Sequence, residues 1–107
     1  MTIYTPDSWI VIRIVHNGET LYKVLGGWYG GYLGNNNFRL NSGIVSAKQD
    51  EHCWIFNGHS GSKYICSKNS YRMSGVMAGF YNNLKKNFSD SIELMDENTD
   101  WSTISYT

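Results

Sequence analysis

At 107 residues the chain has the length of one domain, enough to bury a modest core and fold alone. Nine Lys and Arg balance nine Asp and Glu, and only 17% of the residues are charged. That argues against the basic stripe of a phosphate-tracking nucleic-acid binder and the acidic surface of a DNA mimic, and it leaves little charge repulsion to oppose a homo-oligomer. No run of about 18 apolar residues is present, so no membrane span is expected. The opening MTIYTPDSW has neither the basic nor the apolar stretch of a secretory leader. The expected location is therefore cytoplasmic, where Cys53 and Cys66 remain reduced thiols. Pro6 is the single proline. With no Pro-rich linker, residues 1–107 read as a single domain, with 1–7 and 96–107 as loosely ordered termini.

The elements begin with SWIVIRIV, Ser8 to Val15, which is rich in β-branched residues. Its isoleucines alternate with Val11, Arg13 and Val15, so it reads as a strand with one face mostly buried. Asn17-Gly18 follows, a pair that accepts positive φ at both positions of a tight hairpin turn, and Thr20 to Leu25 is the return strand. Next comes GGWYGGYLGNNNFRL, Gly26 to Leu40. Asparagines 35 to 37 read as a turn and Phe38 to Leu40 as a short strand. Gly43 to Lys48, Cys53 to Asn57 and Lys63 to Ser67 are further strands, separated by polar or glycine-rich turns.

The apolar period then changes. Met73, Val76, Met77, Phe80, Tyr81, Leu84 and Phe88 fall on one helical face. Ser70 or Ser74 is the N-cap, and Lys85 and Lys86 suit the C-terminal end of the helix dipole. Gly75 and Gly79 each cost about 1 kcal/mol against Ala in a helix, and their spacing points to close approach of a neighbouring backbone. Ser91 to Met95 is a candidate last strand, and Trp101 and Ile104 are candidates to dock the polar tail. The fold class is α+β: a curved antiparallel meander of about six short strands with one helix, from the C-terminal half, packed on it.

Chemistry motifs mostly fail on spacing. Gly26, Gly27, Gly30, Gly31 and Gly34 contain no i, i+2 pair for a dinucleotide fingerprint, and Gly31 is followed by Tyr32 rather than the Lys of a P-loop. Two tandem four-residue units remain, Gly27 to Gly30 and Gly31 to Gly34. They read either as a bend covered by aromatics or as a recognition surface of Trp28, Tyr29, Tyr32, Phe38 and Arg39, residue types that dominate binding hot spots. His59 and Ser60 are candidate neighbours. Gly58 to Ser62 misses the nucleophile elbow because Ser62 stands where its last glycine belongs, and it reads as a hairpin turn. His52 and Cys53 are adjacent on a strand and point to opposite faces, which argues against a zinc set with His59 and Cys66. Cys53 and Cys66 face each other if the intervening loop has four residues, and lie on opposite faces if it has five. No cofactor, metal or catalytic residue is expected.

The segments SWIVIRI, LYKVLGGWYGGYLGNNNFRLNSGI, GHSGSKYIC and MSGVMAGFYNNL together resemble small accessory proteins, without an established activity, carried by large tailed bacteriophages. The resemblance implies a protein made in the host bacterial cytoplasm that binds a host component, either a defence protein or a small nucleotide-like signal, and blocks it. The resulting expectation is a non-enzymatic binding protein that occupies or sequesters its target. Two alternatives stay open: a small hydrolase-like enzyme using His52 or His59 with Asp50 or Glu51, and a single-stranded nucleic-acid binder, which the low positive charge makes unlikely.

Overall fold

A computed structural model describes residues 1–29 and 37–106. The elements among them are β1 (Ile3–Tyr4), β2 (Ser8–His16), β3 (Glu19–Trp28), β4 (Asn37–Leu40), β5 (Ile44–Gln49), β6 (Cys53–Gly58), β7 (Lys63–Ser67), α1 (Gly75–Phe88) and β8 (Ile92–Leu94). Short 3-10 turns cover Ser89–Ser91 and Trp101–Thr103. The α+β class stands, but the single meander of about six strands is corrected. Eight strands form two four-stranded sheets, ordered β1-β7-β6-β5 and β4-β3-β2-β8. All pairs are antiparallel except β1 on β7.

The division into two sheets follows from β2. Trp9, Ile10, Val11 and Ile12 are all at most 1% exposed, so both faces of this strand are buried rather than one. The even positions Ile10 and Ile12 join Leu25, Met77 and Ile92 in a core under α1. The odd positions Trp9 and Val11 join Val24, Ile44, Phe56, Tyr64, Cys66 and Trp101 in a second core, between the sheets. Two cores need three layers, so the order is helix, sheet, sheet. A continuous apolar run is what a strand covered on both faces requires.

The hairpins obey their turn chemistry. Asn17 (φ 51°) and Gly18 (φ 78°) close β2 on β3 with His16 opposite Glu19, the two-residue loop expected of Asn-Gly. Between β6 and β7 the last pair is Asn57 with Lys63, so the loop has five residues. Cys53 therefore lies opposite Ser67 and Cys66 opposite Trp54, on different faces. Burial, and then the neighbouring Cys53, push the Cys66 thiol well above its ordinary pKa. Asn41 ties the inter-sheet connection down: its Oδ1 accepts from the Val24 and Gly43 amides at 2.9 and 3.2 Å.

The glycines of β3 admit close neighbours. A Cβ on Gly27 would overlap the Met77 sulfur at the start of α1, and one on Gly26 would stand 3.0 Å from Pro6 Cβ. Ser74, rather than Ser70, is the N-cap, and its amide donates to Met77 Sδ at 3.4 Å. Gly75 and Gly79 show the reverse: both are exposed, and among the described residues nothing stands within 4 Å of where a Cβ would go. The close backbone approach expected from their spacing is absent there.

The ends of the chain join the fold. β1 pairs with β7, Pro6 is buried, and the Asp7 amide donates to the Gly27 carbonyl at 2.8 Å. Trp101 is fully buried against Trp9, Phe56 and Tyr71. The Tyr71 hydroxyl links both halves, accepting from the Val11 amide at 3.1 Å and donating to the Met95 carbonyl at 2.6 Å. No described helix is long and apolar enough to cross a membrane.

Two stability predictions follow from this packing. Trp101→Ala, by emptying the inter-sheet core, is expected to cost about 3–5 kcal/mol in urea unfolding; a loss under 1 kcal/mol would mean the tail is not part of the core. Gly27→Ala is expected to cost about 1–3 kcal/mol through overpacking. In a Met77→Ala background that cost should shrink, which a double-mutant cycle reads directly.

Candidate functional site

The glycine-aromatic segment contributes to a cleft where β1, β3 and β4 meet. Positions alternate along β3, so Gly27 faces the helix while Gly26 and Trp28 face the other side. On β4, Phe38 is opposite Gly27 and Arg39 is opposite Gly26. Phe38 accordingly leans toward α1, with its ring 4.9 Å from that of Phe80. Arg39 turns the other way, and its guanidinium carbon sits 4.8 Å over the Tyr4 ring. Tyr4 meets the Trp28 ring edge-on at 6.1 Å and the buried Tyr64 ring at 4.9 Å. Tyr4, Trp28, Asn37, Phe38 and Arg39 line an open cleft of about 360 Å³.

The structure thus brings together three of the residues expected from sequence, Trp28, Phe38 and Arg39. Tyr4 and Asn37 complete the site. Tyr4 lies in a two-residue strand whose position depends on parallel pairing with β7, 59 residues later, and no local pattern in the sequence signals that. Asn37 had been read as part of a turn. Tyr32 lies outside the described residues.

Tyr29 is adjacent in sequence but does not line the cleft. It is 45% exposed, and its amide donates to Asp7 Oδ2 at 2.8 Å. Its phenol lies beside Ser8 and Arg72, which favour the phenolate and lower its pKa, Ser8 foremost. Ser8 also donates to Met77 Sδ at 3.2 Å. One hydroxyl has one proton, so it serves either the sulfur or the phenolate at a given moment.

His59 and Ser60 are not part of this site. The His59 amide donates to the Gly43 carbonyl at 2.9 Å, and the Ser60 amide to Ser42 Oγ at 2.9 Å. His59 lines a different cleft, with Arg13, Glu19, Tyr22 and Tyr106. Tyr22 and Trp28 are six residues apart on one strand, about 20 Å, so the two clefts sit toward opposite ends of β3.

The acid–base alternative has no matching geometry among the described residues. His52 and His59 flank opposite ends of β6, about 23 Å apart at strand rise, so His59 does not meet Asp50 or Glu51. His52 and Glu51 approach at 3.6 Å, but both side chains are more than 80% exposed. Asp50 is occupied structurally: its carboxylate accepts from the His52 and Cys53 amides at 2.8 and 2.7 Å, bonds that hold its pKa below the ordinary value. Among the described residues, no three His, Cys, Asp or Glu side chains converge as a metal set.

Compared with protein-family models, curated proteins and solved structures, the chain matches none.

The phenols at these packing points make stability depend on alkaline pH. Burial pushes Tyr64 and Tyr71 up to about 12, whereas an unfolded tyrosine titrates near pH 10. Between those values the unfolded chain binds fewer protons than the native one, so stability falls as pH rises. The contribution is fully present below about pH 10 and lost as pH passes about 12. Urea midpoints across this range should fall, and Tyr71→Phe should flatten the fall. An unchanged slope in that variant would show that Tyr71 is not among the groups responsible.

Proposed function

We propose that this chain is a non-enzymatic binding protein whose aromatic cleft at β1, β3 and β4 captures a host component. The observation that carries this reading is the cleft itself. A half-buried Trp28, a Phe38 that is 42% exposed and an Arg39 stacked on Tyr4 share one concave surface. Trp, Tyr and Arg are the side chains that concentrate binding energy, because they offer large apolar faces with polar tips at little entropic cost. The resemblance to phage accessory proteins supplies the context: synthesis in the bacterial cytoplasm and a host target, either a defence protein or a nucleotide-like signal, that the protein occupies or sequesters. The separated histidines and the solvated Asp50-Glu51-His52 turn weigh against catalysis.

Self-association through the sheet edges fits the same reading. Each of the four edge strands carries an exposed apolar side chain: Ile3 on β1, Phe38 on β4, Val45 on β5 and Leu94 on β8. A β-bulge in β5 between Ile44 and Ser46 leaves Val45 outside the pairing. Exposed edges of this kind are where sheets recruit another chain, and zero net charge adds no barrier.

Native mass spectrometry on protein purified from bacterial cytosol tests the reading. The expected outcome is a multiple of the chain mass carrying extra mass that is lost on denaturation. A Trp28→Ala, Phe38→Ala double variant should lose that extra mass while retaining its circular dichroism spectrum. Equal occupancy in a folded double variant would remove the cleft from the function.

A further inference from the structure

Of the three arginines, two are engaged. Arg13 approaches Glu93 at 3.9 Å, and Arg72 donates to the Asn69 carbonyl at 3.4 Å. Arg39 has no ion pair and no hydrogen bond among the described residues; its contact is the Tyr4 ring. A guanidinium held over an aromatic face by its charge keeps N–H donors in a fork matched to a carboxylate or phosphate. Among the described residues, no acidic one lines its cleft.

The other polar clefts differ in charge. The one floored by Trp54 has Lys68 on its wall, but that ammonium already donates at 2.7 Å to both Gln49 Oε1 and the Asp50 carbonyl, and Glu97 and Asp100 line the same space. The cleft at His59 balances Arg13 against Glu19. Among the described residues, the Arg39 cleft alone of these three presents a cation with neither a protein partner nor a neighbouring acid. Trp28 and Asn37 line the same cleft, and the Asn37 amide offers one acceptor and two donors to a ring edge. A volume of about 360 Å³ lies near the lower bound for small-ligand sites, about 300 Å³. That suits one ring system with one anionic group rather than two linked nucleotides.

We infer that the cleft binds a small planar ligand bearing a single anionic group, with the ring against Trp28 and the anion held in the fork of Arg39. This rests on the cleft being the functional site, as proposed above, and adds the chemical class of its occupant. A phosphate and a carboxylate share the required chemistry, so the test separates them.

Isothermal titration of the full chain with adenosine monophosphate, 2-naphthoate, adenosine and inorganic phosphate resolves ring from charge. At least one of the two ring-bearing anions should bind more tightly than adenosine and than inorganic phosphate; which one it is identifies the anion. Arg39→Gln should weaken that ligand about tenfold, the loss of one charge-assisted hydrogen bond, and leave adenosine unchanged. Arg39→Lys should recover only part, since it keeps the charge but not the fork. The inference is overturned if Arg39→Gln binds the anions as the parent chain does, if adenosine binds equally well, or if neither anion binds at millimolar concentration. In the last case, a native-state bound mass that still depends on Trp28 and Phe38 would preserve the cleft as the site and assign it to a different occupant, such as a protein.

Discussion

The architecture depends on the burial of β2 from both sides. A strand that is apolar on alternate positions needs one covering layer; one that is apolar on four consecutive positions needs two. Trp9 to Ile12 are covered from one side by α1 and from the other by β5, β6 and β7. Everything else is arranged around that demand. Three hydrogen bonds anchor Trp9 to the stretch ahead of the helix: its amide to the Ser70 carbonyl, its indole to the Ser67 carbonyl at 2.6 Å, and its carbonyl from the Arg72 amide. The helix and the second sheet are thereby attached to the same strand, so the two cores cannot shift independently.

The cleft is a consequence of how the chain closes over that middle layer. β1 belongs to the outer sheet while β2 belongs to the central one, so the chain must cross between layers within Thr5 to Asp7. It crosses over Gly26, where a Cβ would stand only 3.0 Å from Pro6 Cβ. The crossing sets Tyr4 beside Trp28 and under Arg39. Gly27 performs the complementary task on the opposite face, admitting Met77 and so fixing the start of α1. Two adjacent glycines in one strand thus serve two layers. Within the described part of the glycine-aromatic segment, Gly26 and Gly27 leave room on both faces of β3; Gly30, Gly31 and Gly34, where the bend is expected, lie outside the described residues.

This also explains which features were legible from sequence and which were not. Local rules located the Asn17-Gly18 turn, the limits of β7 and the helix, with its cap narrowed to Ser70 or Ser74, because turn chemistry and periodicity act over a few residues. They located β4 and, through residue type, Trp28, Phe38 and Arg39. They missed β1 and with it Tyr4, since two residues of strand carry no period and the pairing partner is distant. They also took β2 as buried on one face, because the isoleucine alternation masked the apolar residues between. Grouping His59 and Ser60 with the aromatics was an inference about tertiary proximity, which spacing along the chain does not encode; the Gly43 and Ser42 contacts hold that loop elsewhere. The same limit explains Gly75 and Gly79, whose spacing is compatible with a packed or an open helix face.

Charge placement gives the strongest argument for recognition over catalysis. Five of the nine acidic residues, Asp90, Glu93, Asp96, Glu97 and Asp100, fall in the twelve residues after α1. Several close local turns: Asp96 Oδ1 accepts from the Asn98 amide, and Asp100 Oδ1 from the Ser102 amide and hydroxyl. Acids spent on turns leave few to pair with cations elsewhere, so a chain neutral overall is uneven locally. Among the described residues Arg39 lies over the Tyr4 ring rather than in an ion pair. A guanidinium held over a ring keeps its donors unused, and the proposed anion site rests on those donors.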